Sequence, residues 1–109
     1  MKLKVLYKEV GKKPEVKIIE NELEDFQKLV DGLIELVYID DGVCMFLNEE
    51  GKLIDLPHHI ILEEIGDIVM GNVFIARENS EDGELIDLTD SDIEKYTKWL
   101  KDREVIING

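Results

Sequence analysis

The chain begins with two alternating stretches. Leu3, Val5 and Tyr7 alternate with Lys2, Lys4 and Lys8, and Val16 and Ile18 alternate with Glu15 and Lys17, a period of two that predicts two strands within residues 2–19. Gly11-Lys12-Lys13-Pro14 joins them as a turn, and Pro14, which has no amide hydrogen to give a ladder, belongs in that loop. The period then changes. Leu23, Phe26, Leu29, Val30 and Leu33 recur at helical spacing behind Asn21, with Glu24 three residues on as in a capping box, so a helix ending near Gly32 is expected.

Residues 33–39 form an apolar, β-branched run broken by Glu35, and Asp40-Asp41-Gly42 turns it back into residues 43–47 as a hairpin. Asn48-Glu49-Glu50-Gly51-Lys52 reads as a second turn, after which residues 53–56 are expected to pair back. Pro57-His58-His59 then leaves the strand, and residues 60–65 fit either a helical turn or an irregular apolar segment. Residues 68–76 read as one strand, Ser80-Glu81-Asp82-Gly83 as a turn and residues 85–88 as a short returning strand. Thr89 is a good N-cap for a helix over residues 90–101, with Asp90, Asp92 and Glu94 in the first turn and Ile93, Tyr96, Thr97 and Leu100 on one face. Residues 104–107 fit a last strand or a segment packed on a partner chain. The expected architecture is a single α+β domain over residues 1–109: a mainly antiparallel sheet of about five to seven strands with two helices covering one face. Repeats, low-complexity tracts and linkers are absent from the sequence.

Charge changes this picture more than composition does. Asp and Glu number 26 against 13 Lys and Arg, a net charge of −13 at pH 7. Direct affinity for nucleic acid or for an anionic membrane surface needs a basic footprint, which such a chain lacks. Hydrophobic residues make up 44% of the chain, so the charge does not signal disorder. No apolar run approaches the ~18 residues of a membrane span and Met1-Lys2-Leu3-Lys4 alternates, so a soluble, cytoplasmic protein is expected. A lone cysteine, Cys44, excludes an intrachain disulfide.

The excess is uneven. Residues 1–54 hold 12 acids and 8 bases, whereas residues 55–109 hold 14 acids and 5 bases. Between positions 78 and 94 stand Glu78, Glu81, Asp82, Glu84, Asp87, Asp90, Asp92 and Glu94, with no base before Lys95. Such a run is ordinarily a solvated face that keeps a small domain soluble. The sharper reading makes these eight residues a partner-binding surface, a hairpin and a helix start that display carboxylates where phosphates would lie and so compete for a cationic site on another protein.

Other chemistry is thinly represented. Adjacent residues of extended chain point to opposite faces, so His58 and His59 are poor co-ligands for one metal. The Asp90 series has Lys95 and Lys101 where a calcium loop needs Gly and a bidentate Glu. Cys44, between Val43 and Met45, reads as a buried strand residue and not a nucleophile, and Gly11-Lys12 and Gly51-Lys52 lack the rest of a phosphate loop. Neither an enzyme nor a cofactor is expected. Trp99 fits the core. If the chain holds a small anion such as a nucleotide, Arg77 with Phe74 and Tyr96 is the candidate pocket.

The chain also resembles a known family. Lys12-Lys13-Pro14-Glu15-Val16, Leu33-Ile34-Glu35-Leu36-Val37-Tyr38 with Asp41-Gly42-Val43-Cys44, and above all Asn48-Glu49-Glu50-Gly51-Lys52-Leu53 with Leu56-Pro57, look like domain of unknown function 3846. Asp67-Ile68-Val69-Met70-Gly71-Asn72-Val73-Phe74-Ile75 and Leu88-Thr89-Asp90 with Ile93-Glu94-Lys95-Tyr96 continue the likeness over about residues 1–100, leaving residues 101–109 as a C-terminal extension. Where the family tends to carry a polar segment after Leu-Pro, this chain has His58-His59-Ile60. The resemblance implies a phage, plasmid or mobile-element protein and brings no catalytic residues. In that setting an acidic accessory that disarms a host defence protein is expected; the alternatives are a sponge for a signalling nucleotide and a replication or packaging accessory. A homodimer is expected if residues 60–65 and 105–107 leave apolar surface exposed.

Overall fold

In the computed structural model, which describes residues 1–105, the two alternating stretches are β1 (Lys2–Lys8) and β2 (Glu15–Glu20). They are followed by α1 (Leu23–Val30), β3 (Ile34–Asp40), β4 (Val43–Asn48), β5 (His58–Leu62), a 3₁₀ turn (Glu63–Ile65), β6 (Asp67–Met70), β7 (Val73–Glu78), β8 (Leu85–Ile86) and α2 (Asp90–Arg103). Six strands form one antiparallel sheet in the order β2-β1-β7-β4-β3, with β8 on β7, and β5 and β6 form a small second sheet. This is the α+β fold that the patterning predicts.

The helices, however, do not share a face. The central strands β4 and β7 are apolar on both sides, and every residue of β4 is buried. One face packs Leu3, Val5, Tyr7, Cys44, Phe46, Phe74 and Ala76 against Phe26 and Val30 of α1. There the Phe46 and Phe74 rings stack with centroids 4.7 Å apart. The other face packs Leu6, Val43, Met45, Leu47, Val73 and Ile75 against Tyr96 and Leu100 of α2 and against Ile60, Leu62 and Val69 of the small sheet. A strand that is apolar at consecutive positions must be covered on both faces, which is why the two helices lie on opposite sides of the sheet.

Three further expectations are corrected. Residues 53–56 do not pair back: β4 already has β3 on one side and β7 on the other, so residues 49–57 coil instead, with Ile54 N–H donating to Glu50 O at 3.0 Å and Leu56 N–H to Gly51 O at 2.9 Å. Residues 68–76 are two strands. Gly71, at φ +84°, turns the chain and gives its N–H to Pro57 O at 2.8 Å, while Asn72 Oδ1 accepts Val10 N–H at 2.8 Å. His58 and His59 open β5 and do not leave a strand.

At the helix ends the local chemistry differs. Thr89 caps α2 with Asp92 at N3: Asp92 N–H donates to Thr89 Oγ1 at 3.0 Å and Thr89 N–H to Asp92 Oδ2 at 2.9 Å. The expected Asn21 cap of α1 is replaced by Glu22, whose side chain makes no capping bond. The C-terminus of α1 is secured from outside, where buried Asn48 donates from Nδ2 to Val30 O at 3.0 Å and Asp31 O at 3.2 Å. Beyond α2, Glu104 bridges to Ile60 and Val105 N–H donates to His59 O at 2.7 Å. Residues 106 and 107 of the expected last segment lie outside the described residues.

Candidate functional site: the acidic end of the sheet

The β7–β8 hairpin is set by side chains that bond to their own turn. Asn79 Oδ1 accepts Glu81 N–H at 2.9 Å, Asp82 Oδ1 accepts Glu84 N–H at 3.0 Å, and Gly83 takes a positive φ of 74°. Asp87 is fixed by Lys4 N–H at 2.7 Å, and Leu88 N–H donates to Lys4 O at 3.1 Å, which ties the hairpin to β1. Glu81, Asp82, Glu84, Asp87, Asp90 and Glu94 are all exposed, and none forms an ion pair among the described residues.

Two members of the run are committed elsewhere. Asp92 is buried, and both its oxygens bind the Arg77 guanidinium, Oδ2 from Nε at 2.8 Å and Oδ1 from Nη2 at 2.6 Å. The Arg77 bonds, reinforced by the Thr89 bonds, hold the Asp92 carboxyl down to about 2 although burial opposes them. This aspartate is structural, and the partner surface expected from sequence loses it. Glu78 is half-buried and accepts the Tyr38 hydroxyl at 2.7 Å, a bond that raises the tyrosine pKa.

The structure adds acids that the linear run did not contain. Because β4 pairs with β7, the β3–β4 turn lies beside the hairpin, with Glu78 N–H donating to Gly42 O at 2.8 Å. Asp40 and exposed Asp41 thereby join the same end. Asp40 accepts Lys95 Nζ at 3.0 Å and the Tyr96 hydroxyl at 2.9 Å, and these bonds, with that from Asp41 N–H, lower it to about 2. Arg77 and Lys95, the two cations of residues 77–95, are thus each engaged by a carboxylate. The sequence held the signal for Asp40 and Asp41 only through strand pairing, which periodicity does not give.

The alternative anion pocket is not assembled. Arg77 is held by Asp92, and Phe74, fully buried, points to the α1 face while Tyr96 lies on the α2 face. Cys44 is buried as expected, and burial pushes its thiol up to about 11. His58 is exposed and His59 buried. Among the described residues no group of His, Cys, Asp and Glu could hold a metal ion, and no helix is long and apolar enough to cross a membrane.

The fold and surface define a small α+β protein with one strongly acidic end. The chain belongs to the family described as Domain of unknown function (DUF3846), whose model matches residues 1–101. No curated protein and no solved structure matches it.

Proposed function

We propose that this chain is a non-enzymatic protein-binding module whose acidic end occupies a basic site on a partner, of the kind that otherwise holds nucleic-acid phosphates. In the mobile-element setting that the resemblance implies, the partner is a host defence protein in the bacterial cytoplasm. The observation that carries the reading is the arrangement of charge. The β7–β8 hairpin, the β3–β4 turn and the start of α2 present Asp41, Glu81, Asp82, Glu84, Asp87, Asp90 and Glu94 to solvent, while the cations of that stretch are tied up by Asp40 and Asp92. A rigid set of carboxylates without local counter-charge projects a field that favours a cationic partner and speeds encounter with it.

The test is a pull-down of tagged protein from bacterial extract at low and high salt, with proteins and nucleotides of the bound fraction read by mass spectrometry. A basic protein retained at low salt, released at high salt and lost when Glu81, Asp82, Glu84 and Asp87 are all changed to Lys is the expected result, circular dichroism verifying the fold. Binding that survives the four reversals overturns it. A retained nucleotide without a protein partner would move the function to sequestration.

A further inference from the structure

The last strand of the main sheet, β3, pairs with β4 on one side and with no described strand on the other. Unpaired strand edges are templates for a further strand, and proteins usually blunt them with charge, proline or a covering segment. Here seven residues lie open and apolar side chains stand on both faces beside the acids Glu35 and Asp40: Leu36 is 38% and Tyr38 58% exposed on the α1 side, while Val37 turns to the α2 side. On that second side β3 borders a cleft of about 220 Å³ between the main sheet and β6. Val37 and Leu47 line its sheet side, and exposed Leu53, Ile65 and Ile68 line it from the 49–57 coil, the 3₁₀ turn and β6. The Asn48-Glu49-Glu50-Gly51-Lys52 turn forms one wall.

Size and charge select the occupant. Small-molecule pockets run from roughly 300 Å³ upward, so this cleft suits one or two side chains of a larger partner. Four charged residues line it. Lys52 and Asp67 bridge one another, whereas Glu35 and Glu49 are exposed and form no ion pair among the described residues. A second copy of this chain would bring its own Glu35, Glu49 and net charge of −13 to the same place.

We infer that the β3 edge and its cleft form a second docking surface, for an extended protein segment that carries an apolar residue with Lys or Arg two positions before and after it, all three on one face. The segment adds as a strand to β3, its main chain supplying affinity and its alternate side chains specificity. One apolar side chain enters between Leu53, Ile65 and Ile68, and the cations two residues to either side, which share its face, meet Glu35 and Glu49. The cleft lies at the Glu35 end of β3, away from Asp40, where the strand reaches the acidic end.

The probes are a capped heptapeptide Thr-Lys-Thr-Val-Thr-Lys-Thr, with Lys and Val on one face, and its counterpart with Glu in place of Lys, titrated into isotopically labelled full-length protein and followed by backbone amide NMR. Saturable shifts across residues 34–40 and 49–53 are expected for the Lys peptide, with binding at least tenfold weaker for the Glu peptide. Glu35→Lys with Glu49→Lys should weaken the Lys peptide about tenfold, and Leu53→Ser, at a side chain 84% exposed that the fold does not need, at least threefold. Reversal of Glu81, Asp82, Glu84 and Asp87 should leave β3 binding in place, which separates this proposal from the acidic-end reading. Shifts confined to residues 78–94, equal binding of both peptides, or a β3-mediated dimer without peptide would each overturn it.

Discussion

Asp92 serves two structural elements with one carboxylate: it closes the capping box of α2 and anchors Arg77 of β7, so the helix start and the sheet are pinned by the same group. Asp92→Ala removes a cap bond and leaves a guanidinium, 30% exposed, without its partner. The expected loss is about 2–3 kcal/mol in urea unfolding, against about 1 kcal/mol for Thr89→Ala, which breaks the cap alone. Its carboxyl is held near 2, below the ordinary 3.8, so the stability it contributes is present above pH 3.8 and is lost as pH falls toward 2. His59 behaves differently. Nδ1 donates to Gly71 O at 2.7 Å while the buried Nε2 has no partner among the described residues, and burial lowers its pKa below 6.5. The unfolded chain therefore binds the proton first, and stability falls as pH drops below 6.5. In urea titrations between pH 5 and 7 that slope should be shallower for His59→Gln than for the parent; equal slopes would remove His59 from the account.

At the scale of elements, Gly71 decides where one strand becomes two. A Cβ there would sit 2.7 Å from Leu56 Cδ1 on a backbone at φ +84°. Gly83 has a similar φ of 74° with open space around it. Gly71→Ala should cost about 1–3 kcal/mol and Gly83→Ala about 1 kcal/mol, thermal unfolding separating packing from backbone strain. The same glycine shows what the sequence could and could not reveal. Strands β1 to β4 and helix α2 were legible because alternation, the Asp-Asp-Gly turn and the Thr89 cap are local signals. At Gly71 a local signal was present, since Gly71-Asn72 is a turn dipeptide inside an otherwise strand-forming stretch from Ile68 to Ala76, but what fixes the turn, a bond to Pro57 and a crowded Leu56, is remote in sequence. Residues 53–56 failed for a similar reason, since the place beside β4 was taken by β7, which follows later in the chain. At the acidic end the exposed hairpin was legible from its charges, but the withdrawal of Asp92 and the arrival of Asp40 and Asp41 depend on tertiary pairing.

For the whole molecule, a net charge of −13 means that folding gathers mutually repelling groups, and more of them at one end than elsewhere. Salt screens that repulsion over about 10 Å at 0.1 M. The Tm should therefore rise with sodium chloride. Two reversals at two units each bring the charge to −9, so the variant with Lys at 81 and 84, whose side chains make no bond in the hairpin, should show a flatter salt dependence and a Tm at low salt no lower than the parent's. A steeper dependence or a lower Tm would mean that these carboxylates hold the hairpin together in ways their exposed positions do not suggest.

Cys44 sits at the centre of the sheet, fully buried in β4 beneath the α1 face, with its sulfhydryl donating to Ala76 O at 3.5 Å. It is the sole thiol of the chain. A disulfide reagent in solution reaches it only when β4 separates from α1 or from its neighbouring strands, so the labelling rate of native protein reads out how often the sheet opens. The chain carries a built-in probe of its own breathing, and a partner that locks the sheet by adding a strand to β3 would be detected as a slowing of that single reaction.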